Sequence, residues 1–325
     1  MTLGSDVEKL VSLCTNAMQG PLAVLYGGWS AEREVSLMSG TAVIAAFEKA
    51  GIPVTAIDIE RDVADVLGKH GIRHVFNALH GPYGEDGVIG GLLQFLNISA
   101  TGSGVLASAL AMDKLRSKQL WRGIGVNTPS FAMAVDGVDY AEIMRSLGGK
   151  VMVKPAHEGS SIGMSIAENM DQLQAAIAEA KRFDSSVLIE QFIEGPEYSV
   201  PVIAGNVLPI TELKPKNTFY DYEAKYFSSE TEYECPAQLS DEQCEQANRL
   251  VLQAYESLGC RGWGRVDLLL DENGNFQVLE VNTIPGMTEH SIVPMSALAA
   301  GFNFESLVLN VLLDSLICPS SAIDD

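Results

Sequence analysis

The stretch that most constrains this chain is GWGRVDLLLDENGNFQVLEVNTIPG, residues 262–286. Two apolar-rich runs, 265–270 and 276–282, flank Asn273-Gly274, the strongest short-range hairpin signal a sequence carries. A two-residue loop, or a four-residue loop centred on the same pair, places Asp267 opposite Glu280 and Arg265 opposite Asn282. Strand side chains alternate between faces, so these four polar groups share one face. Val266, Leu268, Leu270, Leu279 and Val281 take the other and are expected to be core. Carboxylates facing each other at about 5 Å repel by about 3 kcal/mol at an effective dielectric of 20, and like charges directly opposite weaken a ladder. A positive group is therefore expected between them. Asp, Glu and Asn on one patch are hard oxygen ligands of the kind magnesium takes. A solvated hairpin face on which Arg265 neutralises both acids is the plainer alternative.

A chain of 325 residues exceeds the usual single domain, and two or three units are expected. A net charge of −21 excludes nucleic acid and anionic membrane as bulk partners, so any anion site must be a local cationic pocket. Five cysteines without CxxC spacing read as reduced thiols and point to the cytoplasm. No apolar run reaches the roughly 18 residues of a membrane span. Asp6 and Glu8 stand where an export signal wants positive charge.

In chain order, residues 5–18 have helical spacing, followed by a strand at 22–26 that runs into Gly27-Gly28-Trp29-Ser30. Ser30 is the expected N-cap of a helix over 31–50, with Val35, Met38, Ala42, Val43, Ala46 and Phe47 inward. Strands at 54–59, 75–78 and 98–100 and a helix at 86–96 complete an alternating β/α pattern. This predicts an α/β unit with a parallel, Rossmann-like sheet. Polar clusters GGWSAERE, HGPYGEDG and TGSG fall at the carboxyl ends of its strands, where such sheets bind ligands. Glu32 and His80 lie there, although a first-turn acid and a loop histidine bonded to backbone are equally ordinary readings.

From residue 104 the pattern changes to α+β. A helix over 105–119 carries Lys114, and a strand at 151–154 ends in KPAHEGSSIGMS, a Gly/Ser-rich loop suited to cradling phosphate with Lys154 at its edge. Lysine precedes the glycines, so this is not the GxxxxGK[ST] loop. A strand at 187–190 enters QFIEGPE, a connector between lobes. Residues 198–213 read as two strands, 241–258 and 304–316 as helices. Residues 214–229, KPKNTFYDYEAKYFSS, form a long polar and aromatic segment expected to act as a lid.

GGWSAEREVSL, ALHGPYGEDG, TGSGVLASALAMDKLRSK, VKPAHEGSSIGMS, VLIEQFIEGPE, TFYDYEAKY, GWGRVDLLLD and LEVNTIPGMTEHSIVP occur in this order over residues 21–317. Together they resemble the D-alanine–D-alanine ligases of the ATP-grasp superfamily. The resemblance implies a three-domain ATP-grasp architecture: an N-terminal extension 1–20, a Rossmann-like substrate domain 21–103, a central domain 104–190 and a C-terminal domain 191–325. It implies ATP-dependent joining of two D-alanine molecules through an acyl phosphate, for peptidoglycan synthesis, by a cytoplasmic homodimer. Asp267, Glu280 and Asn282 match the ligands of two magnesium ions, with manganese as a substitute. Lys114, Lys154 and Ser161 match the phosphate site, Glu190, Gln191, Phe192 and Ile193 the adenine edge, and Glu197 the ribose. Glu32 matches the partner of the first D-alanine's ammonium, with His80 near that donor. Arg265 and the Gly286 N–H match the oxyanion site. Ser291 and Lys225 match contacts to the second D-alanine's carboxylate or the transferred phosphate, and Ser160 and Tyr226 tie Glu32 to the lid. Ala156 and His157 stand where many relatives have other small or basic residues. D-lactate as acceptor, a dehydrogenase, and a non-catalytic nucleotide-binding module are the alternatives. The lid's Tyr226 favours the dipeptide, the absence of GxGxxG disfavours the second, and the complete site disfavours the third.

Overall fold

The computed structural model describes residues 1–159, 162–214 and 232–318. Its N-terminal sheet is fully parallel in the order β2-β1-β3-β4, from β1 (Leu22–Tyr26), β2 (Val54–Asp58), β3 (His74–Asn77) and β4 (Ser99–Ala100). β1, in the middle, is a near-continuous apolar run because α1 (Val7–Ala17) and α2 (Arg33–Lys49) accompany the sheet, as do α3 (Val63–Lys69) and α4 (Val88–Phe95). The turns after β1 and β3 leave the carboxyl ends side by side, where the strand order reverses.

Two antiparallel sheets follow. β5 (Phe131–Met133), β6 (Val151–Pro155), β7 (Ser165–Ala167) and β8 (Val187–Gln191) form the order β5-β8-β6-β7, backed by α7 (Tyr140–Ser146) and α8 (Met170–Ala180). The largest sheet runs β12-β11-β9-β13-β14, with β10 against β9. Its strands are β9 (Glu197–Ile203), β10 (Asn206–Val207), β11 (Thr211–Lys214), β12 (Glu232–Glu234), β13 (Trp263–Leu270) and β14 (Phe276–Asn282). The helix Asp241–Ser257, α9, crosses this sheet behind a Ser240–Gln243 capping box. The last helix, α11 (Phe304–Ile317), follows that sheet in sequence but shares a core with β1, β3 and α2 through Leu307, Val308 and Leu312. The side-chain amide of Asn310 brackets Gly4, accepting from its N–H at 2.9 Å and donating to its carbonyl at 2.7 Å, which clamps the N-terminal segment onto α11.

Several local expectations need correction. The helix predicted over 105–119 is two helices, α5 (Val105–Met112) and α6 (Lys114–Ile124), broken at an extended Asp113 whose carboxylate accepts the Arg116 N–H. Apolar periodicity runs straight through the break and hides it. α2 is capped by Glu32 rather than Ser30, whose Oγ instead accepts from Glu32 N and donates to the His80 carbonyl. Met38 on α2 is exposed; Ser36, Ser39 and Gly40 take the inward face, where Tyr26 leaves no room for a side chain at residue 40. The helices α3 and α10 (Ile292–Ala299) are additional to the sequence reading.

The hairpin pairs Arg265 with Asn282, Val266 with Val281 and Asp267 with Glu280, as its register predicts. Beyond Asp267 the register slips, so Leu268 faces Val278 and Leu270 faces Phe276. The turn spans the odd-numbered set 271–275, and a bulge at Leu279 restores the original pairing. Leu279 is consequently only half-buried, while Phe276 and Val278 join Val266, Leu268 and Val281 in the core.

Candidate active site

The site grows from the polar face of the β13–β14 hairpin. Asp267 is buried and accepts from Arg265 Nε at 2.9 Å and Nη2 at 2.8 Å, from Asn282 Nδ2 at 3.0 Å and from Ser199 Oγ at 2.5 Å. Arg265 reaches it because residues two apart on a strand share a face, and Ser199 because β9 pairs it directly with Asp267. Across the ladder, Glu280 meets the Lys114 ammonium at 3.1 Å. The positive charge demanded between facing carboxylates is thus divided: Arg265 serves Asp267, and Lys114 serves Glu280. Burial works against the Lys114 charge, but Glu280 more than offsets it, with Glu32 and Glu85 adding, and the ammonium is held above its ordinary value.

Asp267, Glu280 and Asn282 present two carboxylates and an amide, a donor set that fits a hard divalent cation. Among the described residues no group of three His, Cys, Asp or Glu side chains has metal-holding geometry. The third donor here is an amide, and protein cations compensate the carboxylates.

The break at Asp113 has a purpose in this geometry. It puts Lys114 at the first turn of α6, where its N–H donates to Ala156 O at 3.0 Å and its Nζ to Glu158 O at 2.8 Å. The root of the Gly/Ser loop is fastened further by His157, whose ring lies 2.7 Å from Asp184 and 3.0 Å from Asp113. Burial lowers the His157 pKa, but the two aspartates outweigh it and raise it overall; both aspartates are held below the usual carboxylate range. Lys114, Gly159, Glu280 and Asn282 line one small cleft together with Glu85.

Deeper in the central sheet, Lys154 donates to Glu190 Oε2 at 2.6 Å, and Lys118 forms an ion pair with Oε1 of the same carboxylate. Burial opposes the Glu190 charge, but the two lysines prevail and hold its pKa low. Sequence reasoning missed Lys118, and missed Ser199 and Glu85 as well. Lys118 lies four residues from Lys114 on the same face of α6, and that spacing was the available signal.

From the parallel sheet, Glu32 enters between two glycines. A Cβ on Gly81 would lie 2.6 Å from Glu32 Oε2, and one on Gly159 would lie 3.4 Å from Oε1. Glu32 is the N-cap residue of α2, but its side chain makes no capping hydrogen bond. His80 is buried, its ring 3.2 Å from Glu85 Oε1 and 3.1 Å from Ser39 Oγ; Ser39 in turn accepts the Met287 N–H at 3.1 Å. The histidine therefore ties the donor-side loop to the segment after the hairpin. In that segment a Cβ on Gly286 would fall 2.8 Å from Ser291 Oγ, and Ser291 caps α10, an end that favours anions.

Gln191, Phe192 and Ile193 line a cavity of about 330 Å³ beside Ser130, Asp271 and Gln277. The N–H groups of Gln191 and Phe192 already donate to Ser130 O and Lys150 O. An adenine edge at this segment would therefore meet Ile193 and carbonyl groups. Glu197 opens β9 half-buried, opposite Leu269. Ser160, Ser161, Lys225, Tyr226 and the 214–229 segment beyond Lys214 lie outside the described residues.

Two antiparallel sheets joined through the lysines of α6 to an acidic hairpin, together with a parallel N-terminal sheet, define an ATP-grasp enzyme. Residues 120–313 match the family model described as D-ala D-ala ligase C-terminus. The chain is 49% identical over 312 residues to a D-alanine–D-alanine ligase of Pseudomonas entomophila, covering 96% of this chain and 98% of that one. It is 52% identical to that of Alcanivorax borkumensis, covering 91% and 94%. The crystal structure of the Bacillus anthracis ligase superposes with a TM-score of 0.83 at 35% identity, covering 92% of this chain and 98% of that one. Its complex with ATP gives 0.81 at 32% identity over the same shares. The chain belongs to the D-alanine–D-alanine ligase family.

Proposed function

We propose that this protein joins two D-alanine molecules into D-alanyl-D-alanine at the expense of ATP, supplying peptidoglycan synthesis. The observation that carries the reading is the Asp267–Glu280 pair, opposed across one hairpin and compensated by Arg265 and Lys114. A carboxylate does not react with an amine at neutral pH. Transfer of the γ-phosphoryl group to the donor carboxylate makes an acyl phosphate; the second molecule's amine attacks its carbonyl and inorganic phosphate leaves. Such transfer is mainly positioning and charge neutralisation. Lys114 and Lys154 hold the phosphates, and Glu32 pairs with the donor's ammonium. Arg265, anchored on Asp267, and the Gly286 N–H stabilise the tetrahedral oxyanion. Ser291 at the start of α10 receives the acceptor carboxylate. Glu190 to Ile193 hold the adenine edge, and Glu197 the ribose. Asp267, Glu280 and Asn282 would hold two magnesium ions, which would supply further positive charge for the phosphates.

Domain limits near residues 20, 103 and 190 are supported to within a residue by the three sheets, whose strands come from residues 22–100, 131–191 and 197–282. Five free thiols support a reducing, cytoplasmic setting, and no single helix among the described residues is long and apolar enough to cross a membrane. A homodimer is supported by Val88, Phe95 and Leu106, exposed by 56%, 89% and 72% on the adjacent helices α4 and α5.

The test is phosphate release with ATP, magnesium and D-alanine, alongside L-alanine and D-lactate, with the product identified by mass. Release with D-alanine and formation of the dipeptide are expected. ATP turnover without dipeptide would refute the reading.

A further inference from the structure

Lys118 has no role in the proposal above, although it is fully buried, a costly state for an ammonium. Its Nζ donates to Thr128 Oγ1 at 2.6 Å and approaches Val278 O at 3.4 Å, and it pairs with Glu190 Oε1. Thr128 Oγ1 also donates to Val278 O, at 2.8 Å. Thr128 Oγ1, Val278 O and the Glu190 carboxylate surround the ammonium and hold it at the seam of α6, β8 and the β13–β14 hairpin. Glu190, 2% exposed, therefore stands between two buried lysines, Lys118 and Lys154.

The charge balance gives this arrangement its consequence. Two ammonium groups on one carboxylate leave one positive charge in excess, in a buried place where charge acts strongly. Without Lys118, Glu190 and Lys154 would neutralise each other, and Lys154 would have to leave a buried ion pair before meeting a phosphate. Resting on the ligase reading of the site, we infer that Lys118 is a positioning residue for nucleotide binding: it occupies Glu190 so that the charge of Lys154 remains available to the phosphates of ATP. Lys118 does not itself touch the nucleotide. Burial pulls its ammonium down to about 8, against Glu190, which favours the charge; Lys154 disfavours it, and Glu280 adds a more distant favourable field.

The experiment uses the full-length protein and ADP with magnesium as probe, by calorimetry without D-alanine. Lys118→Met should weaken ADP binding at least about tenfold and raise the KM for ATP while leaving the KM for D-alanine within about twofold. Unchanged ADP affinity in Lys118→Met, or equal rises in both KM values, would overturn the inference. If Lys118→Met does not fold, Lys118→Arg carries the test. Wild-type ADP affinity should fall as pH rises through about 8, and the arginine variant, which keeps its proton, should lose that dependence; the same alkaline fall in both proteins would overturn the inference. ADP binding without dipeptide formation by the wild type would sink the ligase reading and leave this one standing.

Discussion

Substituting Gly81 with Ala tests whether Glu32 is held in place by the donor-side loop. The backbone at Gly81 has φ +72°, and an added Cβ would sit 2.6 Å from Glu32 Oε2 and 3.3 Å from Ser30 Cβ and Oγ. Carbon and oxygen normally keep more than about 3.2 Å apart, so a gap of about 0.6 Å or more must open. The loop resists moving because Gly81 N donates to Glu85 Oε1 at 3.1 Å and the His80 ring is pinned by Ser39 and Glu85. The Glu32 carboxylate is then what yields. Left-handed backbone costs an L-residue about 1–2 kcal/mol, and a misplacement of about 1 Å in a binding constellation costs up to about a hundredfold in rate. Gly71 supplies the control: its φ is +60° and a Cβ there meets nothing within 4 Å. Both alanine variants should lose about 1–2 kcal/mol in chemical denaturation. Only Gly81→Ala should lose about 10- to 100-fold in kcat/KM for D-alanine, with ADP affinity unchanged. If the two variants have the same D-alanine kinetics, Glu32 is not positioned as argued.

Glu280→Gln removes the partner of Lys114 and one hard ligand; phosphate release should fall at least about a hundredfold, with magnesium-free ADP binding retained. His157→Gln addresses the loop root. A histidine with a raised pKa adds stability that is complete below its ordinary value of 6.5 and fades as pH rises through the raised one, whereas Asp113 and Asp184 contribute above 3.8 and lose it as pH falls through their lowered values. The wild-type advantage in melting temperature over His157→Gln should therefore shrink from pH 6 to 8. Discounted for exposure, it amounts to at most about 1 kcal/mol, or about 2–4 °C. Trp263→Ala empties a fully buried site whose ring lies 5.8 Å from that of Phe76, joining the C-terminal and N-terminal sheets, and should cost about 3–5 kcal/mol in denaturation.

The β13–β14 hairpin was legible because its polar and apolar faces alternate and Asn273-Gly274 marks the turn. Pairing at Asp267 and Glu280 was read correctly through two offsetting irregularities, an odd-length turn and the bulge at Leu279, neither of which has a composition signal. The break at Asp113 was invisible because helical periodicity continues across it; its cause is a side-chain contact to Arg116 N, outside any apolar pattern. Lys118 and Ser199 escaped notice for the same reason. A buried lysine or serine in sequence looks like a surface one, and only the fold reveals that Glu190 and Asp267 wait opposite them. Glu32 was placed at its helix start correctly, but the approach of its carboxylate to Gly81 and Gly159 could be seen only in the fold.

The packing of α11 bears on how the polypeptide matures during synthesis. The parallel sheet is translated before the two antiparallel ones, yet one side of its core is completed by Leu307, Val308 and Leu312, and the segment before it is clamped by Asn310. A nascent chain lacking residues 304–317 thus exposes the apolar side chains of β1, β3 and α2 that this helix covers. The usual order, in which an N-terminal domain closes while the remainder is still being made, is suspended here. Of the three sheets, the one made earliest is thus sealed only when residues 304–317 arrive.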